Sequence, residues 1–268
     1  MIYKYLVQSI IMVLVVGCAT SPTGRKQLII MPEAQMSVMG AQAFDQMKEQ
    51  TPVYKDPAWN NYVRCVALPI TESAKGELEV KNWEIVVFKD DTANAFALPG
   101  GKIGVHTGIL SVAKTDAQLA AVLGHEVGHV IAKHGNERVS EAFATEGGLA
   151  AIGALTRDNP NTKTIMGLLG VGTQLGVLLP HSRTQESEAD VIGLDLMSRA
   201  GFDPKGSVEL WKNMMEASKG APPEFLSTHP ASEKRIENLQ SHMDESLAKY
   251  QKANTEGKKP NCRRPAGV

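Results

Sequence analysis

The chain has 268 residues, 43% of them hydrophobic, and 28 basic against 29 acidic residues leave a net charge of −1. That length and apolar content suit one large domain with a sizeable core better than two. The balanced charge, without a long basic run in the interior, speaks against a nucleic-acid partner.

Lys4 is the only charge before Cys18, and Leu6 to Val16 is apolar apart from Gln8 and Ser9. This reads as a signal peptide over 1–17, too short to span a membrane comfortably. Val15-Val16-Gly17-Cys18 resembles a bacterial lipobox, which implies cleavage before Cys18 and lipid on its thiol; the competing reading is a plain cysteine in a short anchor. Ala19 after it points to outer-membrane sorting, with the protein lipid-anchored and facing the periplasm. Residues 18–32 then form a lipidated tether, 33–250 a folded domain and 251–268 a flexible tail poor in apolar residues. Cys65 and Cys262 could pair in an oxidising compartment or stay as two thiols.

Within the domain, Met36, Met39, Ala43, Phe44 and Met47 space a helix over 33–50, and a second helix covers about 57–74. Residues 83–89, 94–98 and 102–106 read as strands, with Pro99-Gly100-Gly101 as the turn between the last two. Thr115, with Gln118 three residues on, caps a helix from about 116 to 134. Further helices are expected at 137–155, 163–179, 184–200, 204–219 and 231–250. The apolar 163–179 segment reads either as a groove-lining helix or as a membrane-inserting one. The fold class is α+β: a mainly helical domain with a small sheet of about three strands beside the 116–134 helix.

His125 and His129 lie four residues apart on that helix, so both imidazoles leave one face about a turn apart and can grip one zinc ion. Glu126, at the edge of the same face, can touch a zinc-bound water without binding the metal; this is the His-Glu-x-x-His signature of metalloproteases. His134 points about 140° away and is expected at a surface or a helix end. Glu186 and Asp190 share a face of the 184–200 helix. Either they supply a third ligand and a hydrogen-bond acceptor for a ligand histidine, or they simply complement the helix dipole.

These motifs, with Asn94-Ala95-Phe96-Ala97-Leu98-Pro99-Gly100-Gly101 and Ser227-Thr228-His229-Pro230, resemble the HtpX-like, CAAX-prenyl-protease family of zinc metallopeptidases, in its lipoprotein branch. The resemblance implies a zincin-type domain, one zinc per chain, Glu186 as third ligand and Asp190 behind the ligands. It further implies Glu126 as general base to a zinc-activated water. His229 is open between a donor to the oxyanion, an occupant of the metal's fourth position and an ordinary loop histidine. Ala95, Phe96, Ala97 and Leu98 could present an edge to an extended substrate, or form an ordinary hairpin. The expected activity is endoproteolysis of misfolded or misassembled envelope proteins; the alternative is a chaperone-like protein whose zinc orders a groove.

Overall fold

The computed structural model describes residues 18–144, 168–169, 181–217, 224–230 and 232–267. The expected signal peptide and most of the 163–179 segment lie outside them.

The described residues open with an antiparallel pair, β1 (Cys18–Thr20) and β2 (Lys26–Leu28), followed by helices α1 (Glu33–Gln50) and α2 (Pro57–Ser73). Asp56 caps α2 by accepting from the amides of Ala58 and Trp59. Strands β3 (Glu84–Phe88), β4 (Ala95–Leu98) and β5 (Lys102–His106) form a sheet in the order β3-β5-β4, with β3 parallel and β4 antiparallel to β5. Gly100 and Gly101 take φ of 83° and 77° in the β4–β5 turn, a region that other residues rarely enter.

Alternation along the strands gives each face of the sheet its own core. Ile85, Val87, Ala95, Ala97, Ile103 and Val105 join the larger core with α2 and the later helices. Phe88, Phe96 and Leu98 join the smaller one under α1, where Leu168 and Leu169 are also buried. The short α3 (Thr107–Val112) was not expected; it leads into α4 (Asp116–Ile131), which Thr115 caps at the Gln118 amide. Next come α5 (His134–Ala144), α6 (Arg183–Arg199), α7 (Lys205–Ala217), α8 (Glu224–Thr228), α9 (Glu233–Ser241) and α10 (Met243–Thr255). The single helix expected over 231–250 is broken at His242.

Both chain ends differ from expectation. Residues 18–32 are not a bare tether: Arg25 reaches inward to Glu137 and Glu188. The tail is not free either, since Cys262 is bonded to Cys65 on α2 and Arg264 donates to the Leu110 carbonyl.

Helix α4 is buried from Gln118 to Ile131, which requires close neighbours on all sides. Against α6 the closeness comes from missing side chains. A Cβ on Gly124 would stand 2.8 Å from the Gly193 carbonyl oxygen, and one on Gly128 would stand 2.9 Å from that of Ala189. Backbone therefore meets backbone, which explains glycines that otherwise weaken a helix. On Gly193 a Cβ would lie 2.6 Å from the His125 nitrogen. Gly193→Ala is thus expected to force the two helices apart and to cost about 1–3 kcal/mol. Urea unfolding of the variant reads this; an unshifted midpoint would contradict the packing described.

Candidate metal centre

The α4–α6 contact brings two ligand-bearing faces together. His125 and His129 come from α4; Glu186 comes from the first turn of α6, which Ser182 and Gln185 close with a capping box. Asp190 follows one turn later. His229, just beyond α8, completes the group, its amide held by the Phe225 carbonyl and its ring stacked on Phe225 at 4.4 Å. All five side chains are buried.

Nε2 of His129 lies 3.0 Å and Nδ1 of His229 3.2 Å from Nε2 of His125. Glu186 Oε1 is 2.9 Å from His229 Nδ1 and 3.4 Å from His129 Nε2, and Oε2 is 3.4 Å from His125 Nε2. Atoms about 2.0–2.1 Å from one tetrahedral ion stand about 3.3 Å from each other, so this set has the dimensions of a zinc site.

The surrounding hydrogen bonds tell which ring nitrogens face inward. Asp190 receives Nε and Nη2 of Arg235, both at 2.7 Å, and stands 3.0 Å from Nδ1 of His125. An ionised Asp190 only accepts, so His125 Nδ1 carries a proton and Nε2 presents its lone pair. For His129 a second histidine intervenes: Nδ1 is 2.8 Å from Nδ1 of His134, whose Nε2 is 3.1 Å from Glu188. Burial lowers both His129 and His134 from the ordinary histidine value, favouring neutral rings. His134 then donates to Glu188 and accepts from His129, again leaving an Nε2 lone pair. Ring nitrogens and a carboxylate converging at this distance call for positive charge among them, which a metal ion can supply and which a proton supplies in its absence.

Without a metal, the acids around His125 draw a proton instead: burial alone would lower it, but its bonds to Asp190 and Glu186 carry it up to about 9, so a metal ion binding at Nε2 has to displace that proton. Burial also works against the Glu186 carboxylate, yet His229 and Arg235 hold it well below the usual range. Glu126 differs: burial pushes its carboxyl up, and its Oε1 has no hydrogen-bond partner among the described residues, His229 Nε2 being 3.5 Å away.

His134 stands at a helix end, one of its two expected places, but is fully buried: Lys133, at φ 58°, turns the chain so that α5 begins by folding His134 back under His129. His181, another residue that sequence reasoning passed over, lies against His129 with ring centroids 3.9 Å apart and the planes tilted by 34°. His129, His134 and His181 form a second close group of ligand atoms, but the Arg138 guanidinium lies against His181, so a second cation there would meet a fixed positive charge.

A His-Glu-x-x-His helix faced by a glutamate from a neighbouring helix is an arrangement that could serve as a glutamate-liganded zinc peptidase site. The sequence pattern of peptidase family M48 matches residues 57–243, most of the chain, and the chain belongs to that family. Members of the family use zinc, and the His/Glu cluster found here can hold it. Among its relatives, the mitochondrial metalloendopeptidase OMA1 of Schizosaccharomyces pombe is 41% identical over 62% of this chain and 48% of its own length. That of Saccharomyces cerevisiae is 34% identical over 85% of this chain and 62% of its own length. The beta-barrel assembly-enhancing protease of Escherichia coli K12 is 26% identical over 77% and 43%. The chain therefore spans about half of each relative.

These relatives correct one expectation. Placement as a lipoprotein of a bacterial outer membrane, facing the periplasm, is overturned, because the relatives of higher identity are mitochondrial by name. They lend no support to a lipid on Cys18, the first residue of β1. Among the described residues, no helix is long and apolar enough to cross a membrane.

Proposed function

We propose that this chain is a zinc-dependent endopeptidase acting on misfolded or misassembled proteins, with His125, His129 and Glu186 as metal ligands and Glu126 as general base. The observation that carries this reading is Glu126: a buried carboxyl, one oxygen of which has no hydrogen-bond partner among the described residues, set beside the metal-sized cluster and outside it. A groove merely ordered by zinc has no use for such a group, which favours the enzyme over a binding protein.

Zinc bound here would supply Lewis acidity towards water and the scissile carbonyl. Glu126 accepts the attacking water's proton at Oε1 and returns it to the leaving amine. Asp190 and Arg235 keep His125 oriented. His229 Nδ1, 3.2 Å from His125 Nε2 and 2.9 Å from Glu186 Oε1, would hold the ion as a fourth residue in the resting protein. β4 lies at the sheet edge, and Phe96 and Ala97 line one cleft with Glu126 and His129. An extended chain adding there by main-chain hydrogen bonds would be read by its backbone, which suits unfolded substrates.

The test is casein cleavage before and after stripping the metal with a chelator. One zinc per chain by elemental analysis, loss of cleavage on stripping and recovery with added zinc are expected. Undiminished cleavage by metal-free protein would end this reading.

A further inference from the structure

We propose that His134 is the positioning residue for the ligand His129, and that the N-terminal hairpin, through Thr23 and Arg25, is a working part of the metal centre. This rests on the reading above that His125, His129 and Glu186 hold zinc.

The two ligand histidines are oriented by different devices. His125 meets its acid directly, and Arg235 holds that acid from the C-terminal side of the chain. His129 has no carboxylate on its Nδ1; it has His134, fully buried, and only behind His134 comes Glu188. Both oxygens of Glu188 are engaged by the hairpin: Thr23 donates to Oε1 at 2.6 Å, and Arg25 Nε donates to Oε2 at 3.0 Å. The other end of the Arg25 guanidinium makes a two-pronged ion pair with Glu137, near the start of α5, and Gln185 also donates to Glu137.

Each member of this chain has its role set by the next. Arg25 keeps Glu188 an acceptor, Glu188 makes His134 a donor at Nε2, and His134 is left as an acceptor at Nδ1. That fixes the proton of His129 on Nδ1 and aims its Nε2 at the metal. A segment over a hundred residues upstream of the ligand thus controls how well the ligand is presented. A hairpin serving only to cover α5 and α6 would not need to place a guanidinium and a hydroxyl on the one acid that faces His134.

The experiment is competition of the full chain for zinc against a chromophoric chelator, with thermal unfolding of the metal-free protein alongside. His134→Phe removes donor and acceptor together and is expected to weaken zinc binding about 10–100-fold. His134→Gln, which can still accept from His129 and donate to Glu188, should recover most of that loss. Arg25→Gln, at a partly exposed position, should weaken zinc about tenfold while the metal-free protein still unfolds cooperatively. Wild-type affinity in both His134→Phe and Arg25→Gln overturns the proposal. So does a His134→Gln variant as weak as His134→Phe, because mere filling of space would then explain both. If the wild-type protein binds no zinc at all, the underlying metal reading fails and takes this inference with it.

Discussion

Glu126→Gln is expected to keep one zinc per chain and to lose cleavage of casein by about 10²–10⁴-fold, the range that general-base catalysis supplies. The substitution preserves shape and removes only the ability to take a proton. Glu126 is outside the set of atoms that fits the metal, so zinc content and chelator competition should match the wild type. Its carboxyl is buried and pushed up by that burial, so the neutral amide also removes a charge that the fold holds at a cost. Thermal stability is therefore expected to stay level or to rise, and lost activity cannot be put down to unfolding. A Glu126→Gln enzyme with full zinc that cleaves like the wild type would show that the proton goes elsewhere.

The parts of this site legible in the sequence are those that repeat at helical spacing. His125 with His129, and Glu186 with Asp190, each announce a face, and the structure turns the two faces toward each other. The three strands and the α1, α2, α4 and α6 helices lie close to where the sequence places them. What spacing does not show is anything built across the chain. His134 sits at the wrong angle to bind metal if α4 simply continues, and the turn at Lys133, two residues ahead of Gly135, is what makes it useful. Arg25 is an ordinary exposed-looking residue in a stretch without periodicity; its importance lies in Glu137 and Glu188, two acids buried with too few local partners. Gly124 and Gly128 could be seen to weaken their helix, but only Gly193 and Ala189 across the interface explain them. A surplus of acids in a helix predicted to be buried would have been the signal for distant arginines.

Arg235 is the second residue whose loss should be severe. It lies 3.6 Å over the Trp211 ring, donates twice to Asp190 and pairs with Glu186 through Nη1 at 2.6 Å, all with a side chain only 5% exposed. Burial works against both carboxylates, and Arg235 is a main reason that they nevertheless ionise below their usual range. Arg235→Ala strands two buried negative charges, for which about 3–5 kcal/mol of destabilisation is expected in the metal-free protein. Zinc answers one of them, Glu186, and binding at a thousand times the dissociation constant returns about 4 kcal/mol, so the loaded variant should regain part of the loss. Asp190 keeps only its bond to His125. In the wild type its contribution is present above the unfolded carboxylate range and fades as pH falls through the lower folded value. In the variant the folded value is expected to rise, so the part of that contribution owed to Arg235 is missing at pH 7 and the deficit should shrink towards about pH 4. Arg235→Lys should fall between, because a single ammonium cannot match the two-pronged contact with Asp190 while reaching Glu186. Unfolding curves of the three proteins, with and without zinc across that pH span, read all of this. A deficit independent of pH would mean that Arg235 acts by packing on Trp211 alone, and that His125 is oriented by Asp190 without its help.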